Sequence, residues 1–326
     1  MRNKIKCIIL LSIFFSVCIW GCISAAALLY QHPNHRLANE RSQKTLNSFD
    51  IQTINRSLTR YRHYSAKLTG VAMVVHGLNV KPIKMLEITK VLGNMGIEVF
   101  GVSLQGHGNN YAKHSDKNDA IARMDAFKDV TYKTWHTEIA NAYEIAHLQS
   151  IEKNVPFYFV GFSIGGLLGM DLFASQQHVQ FDRLILFAPA LTIKPYCFQL
   201  KMLSFFSNFI VPSATPVDYR SNDGTPIAAY NVLFETISHF HQSNLSKTNV
   251  PILIFVDKAD EFIYVDGLAQ LVESNDLDQW KICYIENLTG KEHIFNHLII
   301  DSVSVGQKTW SRMVSQMHMH LNESLL

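Results

Sequence analysis

The stretch Val155–Phe173, VPFYFVGFSIGGLLGMDLF, sets a single serine between glycines directly after an apolar run rich in β-branched and aromatic residues. The run has the make-up of a buried strand and "IGGLLGMDLFASQQ" that of a helix, so Ser163 falls at a strand-to-helix junction. G-x-S-x-G in that context holds its serine in a strained turn, with the hydroxyl standing at the carboxyl end of a sheet. Flanking residues without a Cβ let strand and helix approach closely. The helix beginning at Ile164 also aims its free amides and positive dipole end at the spot where negative charge would develop. Glycine and serine are common in ordinary turns as well, so the pentapeptide needs its context to count as a nucleophile.

Strand and helix alternate on both sides of this junction. Upstream, "GVAMVVHGLN" reads as a buried strand ending in a turn. "IKMLEITKVLGNMG", from Ile83 to Gly96, reads as an amphipathic helix closed by glycine, and "IEVFGVSLQGHG" as the next strand. The helix "TWHTEIANAYEIAHLQSI" follows. Downstream come the strand "FDRLILFAPAL", the strand "VPILIFVDKADEF", a helix from about Tyr264 to Asn275, the strand "QWKICYIE" and a final helix from about Ser304 to Glu323. Strands that are apolar throughout predict an α/β fold whose mostly parallel sheet carries helices on both faces. The alternation lapses over about 193–249, an aromatic and helical insertion without a strand signature, expected to form a cap.

A neutral serine needs a base to take its proton and an acid to orient that base. Asp260 stands at the exit of the strand that resumes the sheet, and His293 in the loop "TGKEHIFNH" after the last strand. The order serine, acid, histidine suits a G-x-S-x-G enzyme. Asp257 is an alternative acid three residues before Asp260, read as a solvated strand-end residue. His297 is the close competitor of His293, read as packing against the apolar "LII" that follows it.

Five stretches in order, "VVHGLN", "SLQGHGNN", "GFSIGG", "PILIFVDKADEF" and "GKEH", resemble a serine α/β-hydrolase of the monoacylglycerol lipase and lysophospholipase-like branch, from about Gly70 to the carboxyl terminus. The resemblance implies Ser163, Asp260 and His293 as the triad, with backbone amides of Leu78 and Ile164 as the oxyanion hole and no cofactor. It implies small-molecule or lipid ester substrates. Asp257 departs from the glycine usual at its position. Among the 15 histidines, His76 and His107 belong to backbone-defining motifs and are expected to be structural. No His and carboxylate spacing of the H-E-x-x-H kind suggests a metal.

The insertion crowds Phe198, Leu200, Met202, Leu203, Phe205, Phe206, Phe209 and Ile210 into a short span. It reads either as a cap packed on the core or as an acyl-chain or lipid-facing surface.

The remaining features bound the setting. The 326 residues are 48% hydrophobic and 17% charged, with a formal net charge of +2 and no basic run past the amino terminus, which disfavours nucleic acid as a partner. Arg2, Lys4 and Lys6 precede the uncharged run from Cys7 to Tyr30, the head and body of an export signal. Residues 1–30 are therefore a signal peptide or an amino-terminal membrane anchor. Three fates are open to them: cleavage near Ala25 to Ala27, lipidation at Cys22 after a bacterial-type box "IWGC", or an uncleaved span with its basic end in the cytoplasm. Each places the rest of the chain outside the cytoplasm. Residues 31–67 form a linker and edge strands, and 68–326 the hydrolase-like domain. Beyond the export segment only Cys197 and Cys283 remain, open to pairing or to two free thiols.

The expected activity is cleavage of carboxylic esters through an acyl-enzyme. Transfer of the acyl group to an alcohol, with the same triad, and a non-catalytic binding protein on this scaffold are the alternatives.

Overall fold

The computed structural model describes residues 48–64, 67–113, 115–213, 215–285 and 295–322. The expected export segment and His293 lie outside the described residues, as does most of the linker.

Ten strands and eight α-helices build the described chain. In order they are β1 (Phe49–Asn55), β2 (Leu58–His63), β3 (Gly70–Val75), α1 (Leu86–Asn94), β4 (Ile97–Val102), α2 (Asp119–Lys128), α3 (Tyr132–Lys153), β5 (Phe157–Phe162) and α4 (Ile164–Ser175). Then follow β6 (Arg183–Phe187), β7 (Ile210–Pro212), β8 (Gly224–Pro226), α5 (Ile227–Gln242), β9 (Ile252–Asp257), α6 (Val265–Ser274), β10 (Trp280–Ile285), α7 (Ser302–Val305) and α8 (Gln307–Asn322).

One sheet of eight strands, in the order β1-β2-β4-β3-β5-β6-β9-β10, organises the molecule. From β4 to β10 every pairing is parallel, while β1 and β2 add antiparallel strands at one edge. Strands β3, β5, β6 and β9 are buried at every position, which is why they read as unbroken apolar runs. The edge strand β10, with a neighbour only in β9, mixes buried and exposed positions.

Local chemistry fixes the helices. Thr131 caps α3, its hydroxyl accepting from Thr134 N–H at 3.1 Å, and Asn154 closes it in the left-handed conformation at φ 51°. Asp301 and Ser304 form a reciprocal capping box on α7. Gly306, at φ 79°, breaks the expected last helix into α7 and α8.

The insertion is more mixed than its sequence suggested. A turn of 3-10 helix over Pro195–Leu203 leads to the antiparallel ribbon of β7 and β8, then α5, much of which packs as a core helix against α4. Three-residue strands are too short to display the alternation by which strands are recognised. Gly224 permits the ribbon, since a Cβ there would lie 2.2 Å from Ile210 Cγ2. Cys197 and Cys283 are unpaired thiols. Among the described residues no helix is long and apolar enough to cross a membrane, and no group of side chains is arranged to hold a metal.

Candidate active site

Ser163 sits between β5 and α4 with φ 54° and ψ −119°, in a region that a non-glycine residue enters only under constraint. The constraint is visible in its backbone bonds. Its N–H donates to Phe187 O at 3.0 Å, and its carbonyl accepts from Leu167 and Ala190 N–H, both at 3.1 Å. Glycine is required on either side: a Cβ on Gly165 would meet His76 O at 2.4 Å, and one on Gly161 would meet Gly166 Cα at 2.5 Å. Although Ser163 holds the N-cap position of α4, its hydroxyl makes no capping bond and remains available.

That hydroxyl lies 2.9 Å from His297 Nε2, and His297 Nδ1 donates to Asp260 Oδ2 at 2.8 Å. The imidazole between serine and acid is thus His297, where the sequence reading had placed His293. The run Leu298–Ile300, whose apolarity suggested mere packing, is buried and anchors the turn that presents His297. A catalytic histidine needs such fixed footing, so the same apolar signal fits the opposite conclusion. Phe162 and Phe262 flank the ring, with centroids 5.2 and 5.1 Å away.

The two aspartates divide the work of the β9 exit. Asp257 Oδ1 accepts from Ala259 N–H at 2.8 Å, forming the turn that starts the loop. It is buried rather than solvated. Asp260, fully buried, faces the histidine, and its Oδ1 accepts from Phe262 and Ile263 N–H at 2.7 and 2.9 Å. Burial alone would push its carboxyl up. The attraction and hydrogen bond of His297, with those two amides, outweigh burial and hold it below the usual range.

Ile164, the first residue of α4, follows the serine directly, and Leu78 follows Gly77, which lies against Ser163. Neither main-chain N–H is bonded to another group among the described residues. The Leu78 loop is set by two buried neutral imidazoles. His76 Nδ1–H donates to Gly77 O at 2.8 Å and its Nε2 accepts from Leu104 N–H at 3.1 Å. His107 Nε2 accepts from Asn79 N–H at 2.9 Å while its Nδ1–H donates to Gln105 O at 3.2 Å. Burial lowers both, His76 to about 4, so neither carries a proton at neutral pH.

Two further residues shape the site that sequence reasoning did not single out. Asn79, at φ 54°, donates from Nδ2 to Ser213 Oγ and Asn222 O, and accepts from Asn222 N–H, tying the Leu78 loop to the insertion. Asparagine directly after "HGL" was the available signal, since it tolerates the left-handed region. Glu261, beside Asp260, accepts main-chain N–H groups of Asn296 and His297.

A strained serine at a strand-to-helix turn, on a mostly parallel sheet flanked by helices, defines an α/β-hydrolase. The family model described as serine aminopeptidase, S33, matches residues 66–232, just over half of the chain, and the chain belongs to that family. Solved structures agree in fold. One is of the metagenome-derived lipolytic enzymes LipS and LipT, at 16% identity and TM-score 0.60, covering 83% of this chain and 99% of its own. A soluble variant of monoglyceride lipase from Saccharomyces cerevisiae, bound to a substrate analogue, aligns at 10% identity and TM-score 0.64 over 83% of this chain and 94% of its own. The monoacylglycerol lipase of Paleococcus ferrophilus aligns at 15% identity and TM-score 0.54, over 83% and 99%. No curated protein matches the chain. The chain is a hydrolase of the serine type.

Proposed function

We propose that the protein cleaves carboxylic esters of apolar acyl chains, such as monoacylglycerols or lysophospholipids, through an acyl-enzyme on Ser163. The observation that carries this reading is the continuous chain of hydrogen bonds from Asp260 through His297 to Ser163. Ser163 Oγ attacks the ester carbonyl as His297 Nε2 takes its proton. Asp260 holds the ring in the tautomer with Nδ1–H and stabilises the imidazolium that forms. The amides of Leu78 and Ile164 receive the oxyanion. Collapse expels the alcohol, which leaves with the proton from His297, and water repeats the sequence to release the acid.

The insertion supports an apolar substrate. Met202 and Phe205 are 81% and 92% exposed, and Phe206 and Phe209 are exposed beside them. Such a patch is costly in water and suits contact with lipid. Residues 1–30 complete the proposal as an export signal or anchor that delivers the enzyme outside the cytoplasm, where that patch would meet its substrate.

The test uses the full-length chain, purified in detergent, with p-nitrophenyl esters of graded length and a fluorophosphonate probe. Hydrolysis with labelling that disappears in Ser163→Ala is expected. Labelling that survives this substitution would sink the nucleophile assignment, and product analysis with an added alcohol separates hydrolysis from transfer.

A further inference from the structure

Two successive carboxylates leave β9 toward His297 and hold it from different sides. Asp260 takes the ring. Glu261 takes the backbone: its Oε2 accepts from His297 N–H at 2.9 Å, and its Oε1 from Asn296 N–H at 2.8 Å and Asn296 Nδ2 at 3.1 Å. Among the described residues, the turn that carries His297 has one main-chain hydrogen bond of its own, Leu298 N–H to Phe295 O at 3.3 Å. Its position therefore comes from Glu261 on one side and the buried Leu298–Ile300 on the other.

Glu261 is itself fixed. Its main-chain carbonyl accepts from the Tyr196 hydroxyl, and the carbonyl of Asp260 accepts from Lys194 Nζ, both at the root of the insertion. Three N–H donors converge on its carboxylate. A glutamine there offers one oxygen and would turn its own donors toward one of them.

We infer that Glu261 is a positioning residue of the hydrolytic site: its carboxylate fixes the backbone of Asn296 and His297 and so sets the alignment of Nε2 on Ser163. Its carboxylate bonds to the Asn296 and His297 amides and, among the described residues, makes no hydrogen bond to the imidazole ring or to Ser163. The inference rests on the reading of Ser163, His297 and Asp260 as a triad, and it gives the acid loop two separate tasks on one histidine.

The experiment compares the full-length chain with Glu261→Gln and Glu261→Ala. It measures kcat and KM on a short p-nitrophenyl ester, the rate of fluorophosphonate labelling, and the low-field proton resonance of His297 Nδ1–H. Misplacing a catalytic group by about 1 Å costs about 100-fold. We expect kcat and labelling to fall about 10- to 100-fold in Glu261→Ala and less in Glu261→Gln, with KM within about twofold and the resonance shifted or broadened. Wild-type kcat and an unmoved resonance in a folded variant would overturn the inference. Should Glu261→Ala fail to fold, the near-isosteric Glu261→Gln decides alone. A wild type that turns over no ester, but whose resonance moves in the variants, upholds positioning and sinks the hydrolytic reading. Normal turnover and resonance in the variants does the reverse.

Discussion

Ser163 must be rigid in its backbone and free in its side chain, and the flanking glycines reconcile those demands. Gly165→Ala would drive a Cβ against the carbonyls of Val75 and His76, displacing the loop that presents Leu78. Loss of fluorophosphonate labelling by at least tenfold is expected in whatever fraction folds. The histidines separate sharply. His297→Ala should lower kcat by about 1,000-fold or more, since nucleophile and base act as a unit, while His293→Ala should stay within about twofold. Steady-state kinetics on one soluble ester checks both. The strand-to-helix turn of Ser163 and the place of Asp260 at the β9 exit were legible because a motif and a strand exit are local. His297 was not, because two histidines four apart in the sequence look alike until the buried footing of His297 on Leu298–Ile300 is seen. Glu261 escaped for a related reason: its partners are main-chain amides, which no side-chain pattern advertises.

Among elements, the Leu78 loop is tied to the insertion by the Asn79 side chain. Asn79→Ala would leave the buried Asn222 amide without its acceptor and force alanine to φ 54°. A cost of about 2–4 kcal/mol in denaturant unfolding is expected, with a fall in kcat as the loop loosens. The exposed apolar patch makes a separate claim. Replacing Phe205 and Phe206 with serine should spare hydrolysis of a soluble short-chain ester and cut activity on emulsified long-chain esters several-fold. Equal loss on both would count against a lipid-facing role. The parallel strands were readable as apolar runs because both their faces are covered. The ribbon of β7 and β8 is defined by backbone pairing over three residues, a length at which periodicity carries no information.

At the scale of the whole molecule, buried titratable groups set how stability follows pH. His76 and His107 are held neutral in the fold, so an unfolded chain binds protons below about pH 6.5 that the native state refuses. The contribution of His76 is present above that pH and lost as pH falls toward about 4, about 3 kcal/mol, and that of His107 has the same sign. Asp171 opposes them. Burial raises its carboxyl to about 6, Tyr132 donates to Oδ2 at 2.8 Å, and Oδ1 meets no donor among the described residues. The native state therefore keeps a proton that the unfolded chain has lost, and this contribution shrinks stability as pH rises from about 4 to about 6. Glu138 and Asp301, also raised by burial, act in the same sense as Asp171. The clean comparison is therefore between wild type and Asp171→Asn by urea unfolding at pH 7, 6 and 5, in which the variant loses stability with acid relative to wild type.

The insertion is rooted twice, by the Ile193 to Ile263 bridge beside the acid loop and by Val80 to Arg220 beside the oxyanion loop. It is consequently not an exchangeable module at its natural ends. A chimaera that replaces the whole of 193–249 with a relative's segment would unseat both the Asp260 loop and the Leu78 loop of the proposed site. One spliced within 198–209, beyond Lys194 and Tyr196, would change the exposed apolar turn and leave both roots in place. Substrate range in this chain can thus drift by substitution on the outer turn, while its two roots stay under the selection that governs chemistry.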